Sequence, residues 1–263
     1  MEGVSLSTSI FVSADGQALP LDQCLPRVAE AGYERIEISR VHPLPSSPSA
    51  LAEHGLRAWA VHGALGGGSA SPDEGTRRAA VESELARLSA AEAFAPCPYV
   101  IHYLNRFHDP RAGDAFRRSV EDLLRVAERL GIVLAVETAP DKPQNERYPD
   151  TKEVSAFVRS FGSPHASVCL DVNHSNLAEC LLDAIENCRG VTSTIHVSDN
   201  HGEREEHLPP GQGAADLDAA MKALHTAGYG GPLNLECRVG DIPTKEQLMA
   251  LRQWAEGVIR TLP

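Results

Sequence analysis

Six short apolar runs in this chain lead into a residue that can hold a metal ion or move a proton. AWAVH ends on His62, YVIH on His102, LAVE on Glu137 and VCLD on Asp171; TIHVSD turns polar at His196, and LNLE ends on Glu236. Any one of these alone reads equally well as a hydrogen-bonded core residue. Six together are different, because clustered carboxylates and imidazoles repel one another and lose hydration unless a positive charge compensates them. A divalent cation does this, and mixed carboxylate–imidazole donors suit Zn, Mn, Fe or Co. Two local spacings widen the set. Asp171-Val-Asn-His174 puts an imidazole three residues beyond the sixth-strand carboxylate. The stretch HVSDNHGEREEHLPPGQG adds Asp199, His201, Glu205 and His207 ahead of a rigid Pro-Pro-Gly-Gln-Gly turn. Its charge run alone would read as a solvated segment, but the flanking histidines favour a folded lid or ligand loop. Arg238, two residues past Glu236, either holds a substrate oxygen or phosphate or is a solvated surface charge.

These residues need elements to position them. Apolar, β-branched runs predict strands at Ser5–Val12, Arg35–Ser39, Arg57–His62, Tyr99–Tyr103, Ile132–Glu137, Ala166–Asp171, Thr192–Val197 and Leu233–Cys237. Nearly continuous apolar runs of this kind fit strands covered on both faces of a parallel sheet. Helical spacing fills the intervals. Phe116, Val120, Leu123, Leu124, Ala127 and Leu130 form one stripe, stopped by Gly131; Leu248, Leu251, Trp254, Val258 and Leu262 form another. Asp150-Thr151 and Ser71-Pro72-Asp73-Glu74 read as helix starts. Eight strands, each followed by a helix, predict an α/β fold, a single (β/α)8 TIM barrel in one domain spanning residues 1–263. Active-site groups of such a barrel come from the C-terminal ends of its strands, where the six residues above fall. An open doubly wound sheet is the alternative, but no GxGxxG follows the first strand, and Gly66-Gly67-Gly68 reads as a flexible loop rather than a phosphate cradle.

Composition narrows the function classes. With 24 Lys+Arg against 36 Asp+Glu, the 263-residue chain carries a net charge of −12. That balance argues against nucleic acid as the partner, since binding a phosphate backbone depends on Lys and Arg releasing counterions. The N-terminal stretch lacks the basic and apolar regions of a secretory signal, and no apolar run is long enough for a membrane span. Six cysteines, scattered and without a CxxC, read as buried free thiols, and a cytoplasmic location is expected.

At these residues the sequence resembles the xylose-isomerase-like TIM-barrel superfamily, which includes sugar phosphate isomerases and epimerases, related lyases and endonuclease IV. The resemblance spans all eight strands; its specific part runs through LAVETAP, CLDVNHSN, HVSDNHGEREEHLPPGQG and LNLECR. In the isomerase and epimerase branch it implies one divalent metal (Mn, Zn, Co, Fe or Mg) held by Glu137, Asp171, His196 and Glu236. It further implies that Glu137 and Glu236 serve as acid and base and that His174 contacts substrate. The endonuclease IV branch implies a larger set for up to three Zn ions, adding His62, His102, His174, Glu205 and His207. The chain departs from that branch at Glu205, where an Asp is usual. Tyr103-Leu104-Asn105 follows the fourth-strand histidine in place of Pro-Gly-Ser, and Glu137-Thr138-Ala139-Pro140 replaces Glu-Asn-Thr-Ala-Gly. These departures bear on a DNA-binding surface more than on metal ligands.

The favoured reading is therefore an isomerase or epimerase of a small sugar or related polyhydroxy carbonyl compound. The metal stabilises an enediolate while one carboxylate removes a proton and another returns it from the opposite face. A lyase or dehydratase would share that enolate. The alternative is a zinc phosphoesterase of the endonuclease IV type, and a third, lesser reading is a non-catalytic binding barrel. Phe11, His42, Trp59 and Tyr103 either line the pocket or pack beneath the barrel mouth. Neither the substrate nor the oligomeric state is legible; a homo-oligomer is compatible with the sequence.

Overall fold

In a computed structural model, which describes residues 1–104, 109–138 and 150–263, the chain forms a parallel barrel wrapped by helices. Its strands are β1 (Val4–Ser7), β2 (Arg35–Ile38), β3 (Arg57–His62), β4 (Pro98–His102), β5 (Val133–Glu137), β6 (Ala166–Asp171), β7 (Thr192–His196) and β8 (Leu233–Leu235). They pair in the order β7-β6-β5-β4-β3-β2-β1-β8, and a parallel bridge between Val197 and Leu235 joins β7 to β8. Ring closure leaves no long strand edge open to another chain. Around the ring lie α1 (Leu21–Glu30), α2 (Ser49–Ala52), α3 (Glu74–Ala90), α4 (Pro110–Leu130), α5 (Thr151–Arg159), α6 (Val172–Ala178), α7 (Leu181–Asn187), α8 (Leu217–Thr226) and α9 (Lys245–Thr261).

The two helical stripes face the barrel. In α4, Phe116, Val120, Leu123, Leu124 and Ala127 are buried, and Gly131 ends the helix in the left-handed conformation at φ 68°. Full burial of each Leu, Val or Phe side chain contributes about 1.5–3 kcal/mol. Asp73 and Asp150 cap α3 and α5 by accepting the backbone N–H groups of Thr76 and Glu153.

Several expected boundaries move for identifiable reasons. β1 stops at Ser7, whose hydroxyl caps a 3-10 turn over Thr8–Phe11. β2 is followed by only one helical turn, because VHPLPSSP supplies three prolines without N–H donors. The triple glycine is ordered rather than flexible: Gly67–Ala70 forms a 3-10 turn, and Ser119 donates from α4 to the carbonyl of Ser69. Among the cysteines, Cys180 is exposed and the other five are buried, all as free thiols. Asn105, Ala139 and Pro140, named above among the departures from endonuclease IV, lie outside the described residues.

Candidate metal centre at the barrel mouth

Successive side chains on a strand point to opposite faces, so positions two apart share the barrel interior. Ala60, Val100, Ala135, Cys169, Thr194 and Asn234 are fully buried. Two residues further along each strand path stand His62, His102, Glu137, Asp171, His196 and Glu236. Period-two alternation thus lifts six ionisable side chains onto a small apolar plug, part of it formed by Val100, Ala135 and Cys169.

Glu137, Asp171, His196 and Glu236 each offer a donor atom, all within 4.8 Å of one another. His196 Nδ1 lies 2.9 Å from Glu236 Oε2, 3.0 Å from Glu137 Oε1 and 3.8 Å from Asp171 Oδ2. Two further groups flank this tetrad: His62 and His102 with Glu137, and His174 and His207 with Glu205. His62 Nε2 and His102 Nε2 approach Glu137 Oε2 at 3.1 and 3.2 Å, and His207 Nε2 lies 2.8 Å from Glu205 Oε1.

The opposite ring nitrogens of four histidines are already committed. His62 Nδ1 donates to the Gly63 carbonyl at 2.8 Å, His174 Nδ1 to the Thr138 carbonyl at 2.8 Å, and His207 Nδ1 to the Glu236 carbonyl at 3.2 Å. His196 Nε2 donates to Glu37 Oε2 at 2.8 Å. A nitrogen facing a pure acceptor carries the proton, so in each neutral ring the lone pair on the other nitrogen points at the acids. This is the orientation that outer hydrogen bonds impose on metal-binding imidazoles.

Electrostatics agree. Burial pushes Asp171 up to about 6, against the pull of His174. Burial also works against the charged forms of Glu137 and Glu236, yet His196 and its neighbours hold both carboxyls well below the usual range. Burial would lower His196 and His174, but the surrounding acids raise both, His174 to about 10. His102 goes down because burial outweighs its Glu137 partner. Glu137 and Glu236 are held charged by imidazolium neighbours, a duty that a cation would take over.

The donor set fits a divalent metal. Asp171 Oδ2 and His174 Nε2 are buried without a hydrogen-bond partner, and unsatisfied buried polar atoms are costly. Oxygen and imidazole donors in this ratio suit Mn, Fe, Co or Zn. A cavity of about 400 Å³ opens above, walled by His62, His102, Glu137, His174, Glu205, His207 and Glu236 together with Ser9, Val12, Ser39, Arg40, Val41 and Arg238. Arg238 also borders a neighbouring cavity of about 500 Å³ lined by Pro209, Pro210 and Trp254.

The loop after β7 folds over the site as expected, but only two of its four candidate ligands reach it. Asp199 instead accepts the N–H groups of Asn200, Gly211, Gly213 and Ala215 at 2.9–3.0 Å and holds the loop's two ends together. His201 faces outward and pairs with Glu206 at 2.9 Å. His207 takes φ 54°, alone among non-glycine described residues, a left-handed conformation that aims its ring at Glu205.

The aromatic candidates pack rather than line the pocket. Phe11 is fully buried, and His42 binds the Thr8 carbonyl. Trp59, half-buried in the first half of β3, donates to Thr194 Oγ1, and Tyr103 stacks edge-on with Phe116 and Phe157. Two participants escaped the sequence reading. Glu37, fully buried, accepts from Ser7, His196 and Asn234. Its signal was an acid inside the apolar run RIEI, not at its end. Arg40, just past β2, had none beyond its position.

Comparison with known proteins agrees with this architecture. The chain is 27% identical over 226 residues to a ketose 3-epimerase of Arthrobacter globiformis, covering 80% of this chain and 75% of that protein. In fold it is similar to an L-ribulose 3-epimerase, with TM-score 0.79, 19% identity and coverage of 99% and 94% of the two chains. It is equally similar to D-psicose 3-epimerase of Clostridium cellulolyticum H10, with TM-score 0.79, 18% identity and coverage of 100% and 99%. Residues 25–257 match the family described as Xylose isomerase-like TIM barrel, and the chain belongs to that family.

Proposed function

We propose that this protein is a divalent-metal-dependent isomerase or epimerase of a small ketose or related polyhydroxy carbonyl compound. The observation that carries the reading is the tetrad Glu137, Asp171, His196 and Glu236, gathered within 4.8 Å at the floor of a sugar-sized cavity. The similarity to a ketose 3-epimerase supports the substrate class. A metal held by these four residues would supply Lewis-acid polarisation of a substrate carbonyl. The chain's own groups do the rest. Glu137, from β5, and Glu236, from β8, serve as base and acid, one removing the proton beside the carbonyl and the other returning it. His174, from α6, and Glu205, from the loop after β7, reach the cavity, where they can hold substrate hydroxyls. The cavity lies under a folded loop, which limits water around a proton in transit.

The test is to strip the protein with EDTA, reload it with Mn or Co, and follow D-fructose, D-psicose and D-tagatose by NMR in deuterated water. Metal-dependent interconversion with deuterium entering at the reacting carbon is expected. Glu137→Gln and Glu236→Gln should each lower turnover by at least about 100-fold. Turnover that ignores both substitutions, or proceeds fully without metal, overturns the reading.

A second reading, phosphoester hydrolysis on up to three Zn ions, is favoured by one observation. The flanking donor groups His62–His102–Glu137 and His174–Glu205–His207 adjoin the tetrad, the first sharing Glu137 with it. Against it stands the −12 charge. Metal analysis discriminates: three Zn per chain with cleavage of abasic DNA favours hydrolysis, whereas one metal with ketose turnover favours isomerisation.

A further inference from the structure

The cavity is electrically divided. Its floor is built of acids and imidazoles, while its β1 side carries two arginines, Arg40 and Arg238. Topology brings these together: β2 and β8 both pair with β1, so the residues just past their ends fall in one sector of the mouth. Ser9 and Val12, from the segment after β1, line the wall with them. Arg238 is fixed at its backbone, where its N–H donates to the His207 carbonyl.

Both arginines are exposed, and neither makes an ion pair with any described residue. Guanidinium has five donors, accepts nothing and stays charged, so it cannot ligate a metal. It matches planar or tetrahedral oxyanions through paired hydrogen bonds. Among the described residues the lining includes no Phe, Tyr or Trp.

We infer that the substrate carries a fixed oxyanion, a carboxylate or a phosphate ester, bound by Arg40 and Arg238 at the rim while its carbonyl end reaches the acidic floor. The inference rests on the isomerase or epimerase reading for the identity of the reacting end. Placing the anion at the rim keeps it from the carboxylates of Glu137, Asp171 and Glu236, which would repel it. A cavity of about 400 Å³ holds a small sugar bearing one such group.

The test uses D-fructose, D-fructuronate and D-fructose 6-phosphate, which differ only at C6, with metal-loaded enzyme. Wild-type kcat/KM should favour at least one charged sugar by about tenfold or more, and which one it favours separates carboxylate from phosphate. Raising ionic strength should raise KM for the charged sugar and spare the neutral one. R40M and R238M should bring the charged-to-neutral ratio toward one, while R40K and R238K retain part of it. A wild-type ratio of one, a KM indifferent to salt, or a ratio unchanged in both Met variants overturns the inference. Calorimetric binding of the three sugars separates it from the reading beneath it. Arginine-dependent preference for a charged sugar without turnover of any sustains the inference and sinks the isomerase reading, whereas turnover without charge preference does the reverse.

Discussion

His196 is held from both sides. Below it Glu37 accepts Nε2–H, and above it Nδ1 faces Glu137 and Glu236. Ser7 and Asn234 in turn fix Glu37, so the imidazole has one tautomer and one direction. Loss of such an outer-shell partner typically lowers metal affinity roughly 10–100-fold. Glu37→Gln should therefore weaken Mn or Co binding by that factor in a calorimetric titration. The effect should be larger than that of Asp199→Asn, whose carboxylate does not touch the tetrad. Equal affinity in wild type and Glu37→Gln would remove the positioning role. The six mouth residues were legible because each follows an apolar run at a strand end. Glu37 was not, because an acid inside RIEI reads as a ladder position until His196, 159 residues away, is seen beside it.

At the scale of elements, the loop between β7 and α8 depends on one buried carboxylate. Asp199 gathers four backbone N–H groups, and its own backbone pairs with Leu208 at 2.8 Å in both directions. Gly213 belongs to the same closure: a Cβ there would collide with the Asn200 carbonyl and the Asp199 carboxylate. Hydrogen bonds to a charged acceptor contribute roughly 1.5–3 kcal/mol each when intact, although not additively. Asp199→Ala should thus cost about 3 kcal/mol or more in denaturant unfolding and speed amide exchange at Gly211, Gly213 and Ala215. If exchange at those three amides is unchanged, the loop is held by other contacts. The sequence marked this loop through its histidines and its proline–glycine turn, yet it did not separate the anchor, Asp199, from the ligand candidates Glu205 and His207. Both kinds of residue are polar and close in sequence; only the folded path decides which turn inward. Nearly continuous apolar runs likewise located all eight strands, while β1 ends at a serine cap and the β7–β8 bridge falls at Leu235, the last residue of β8.

For the whole molecule, the barrel concentrates at one end a charge that the fold alone compensates poorly. Glu137, Asp171 and Glu236 are brought together with little water, and several kcal/mol of desolvation attends each buried ion. A bound cation should consequently stabilise the native state. At a free metal concentration about 100 times Kd the gain is about 2.7 kcal/mol, or roughly 5–10 °C in Tm for a chain of this size. Calorimetry of EDTA-treated protein with and without Mn or Co reads this directly, and an unmoved Tm would remove the metal from the tetrad. By itself the sequence determined the alternating β/α order, the parallel barrel and the six ionisable strand ends. Those features follow from local periodicity and chain direction, which any stretch of residues displays. Only the tertiary structure decided that Glu37 supports His196, that Asp199 serves the loop, that Trp59 and Tyr103 pack away from the cavity, and that Arg40 joins Arg238. Each of these is a meeting of residues far apart in the chain, fixed by ring closure and by which face of a strand or loop turns inward.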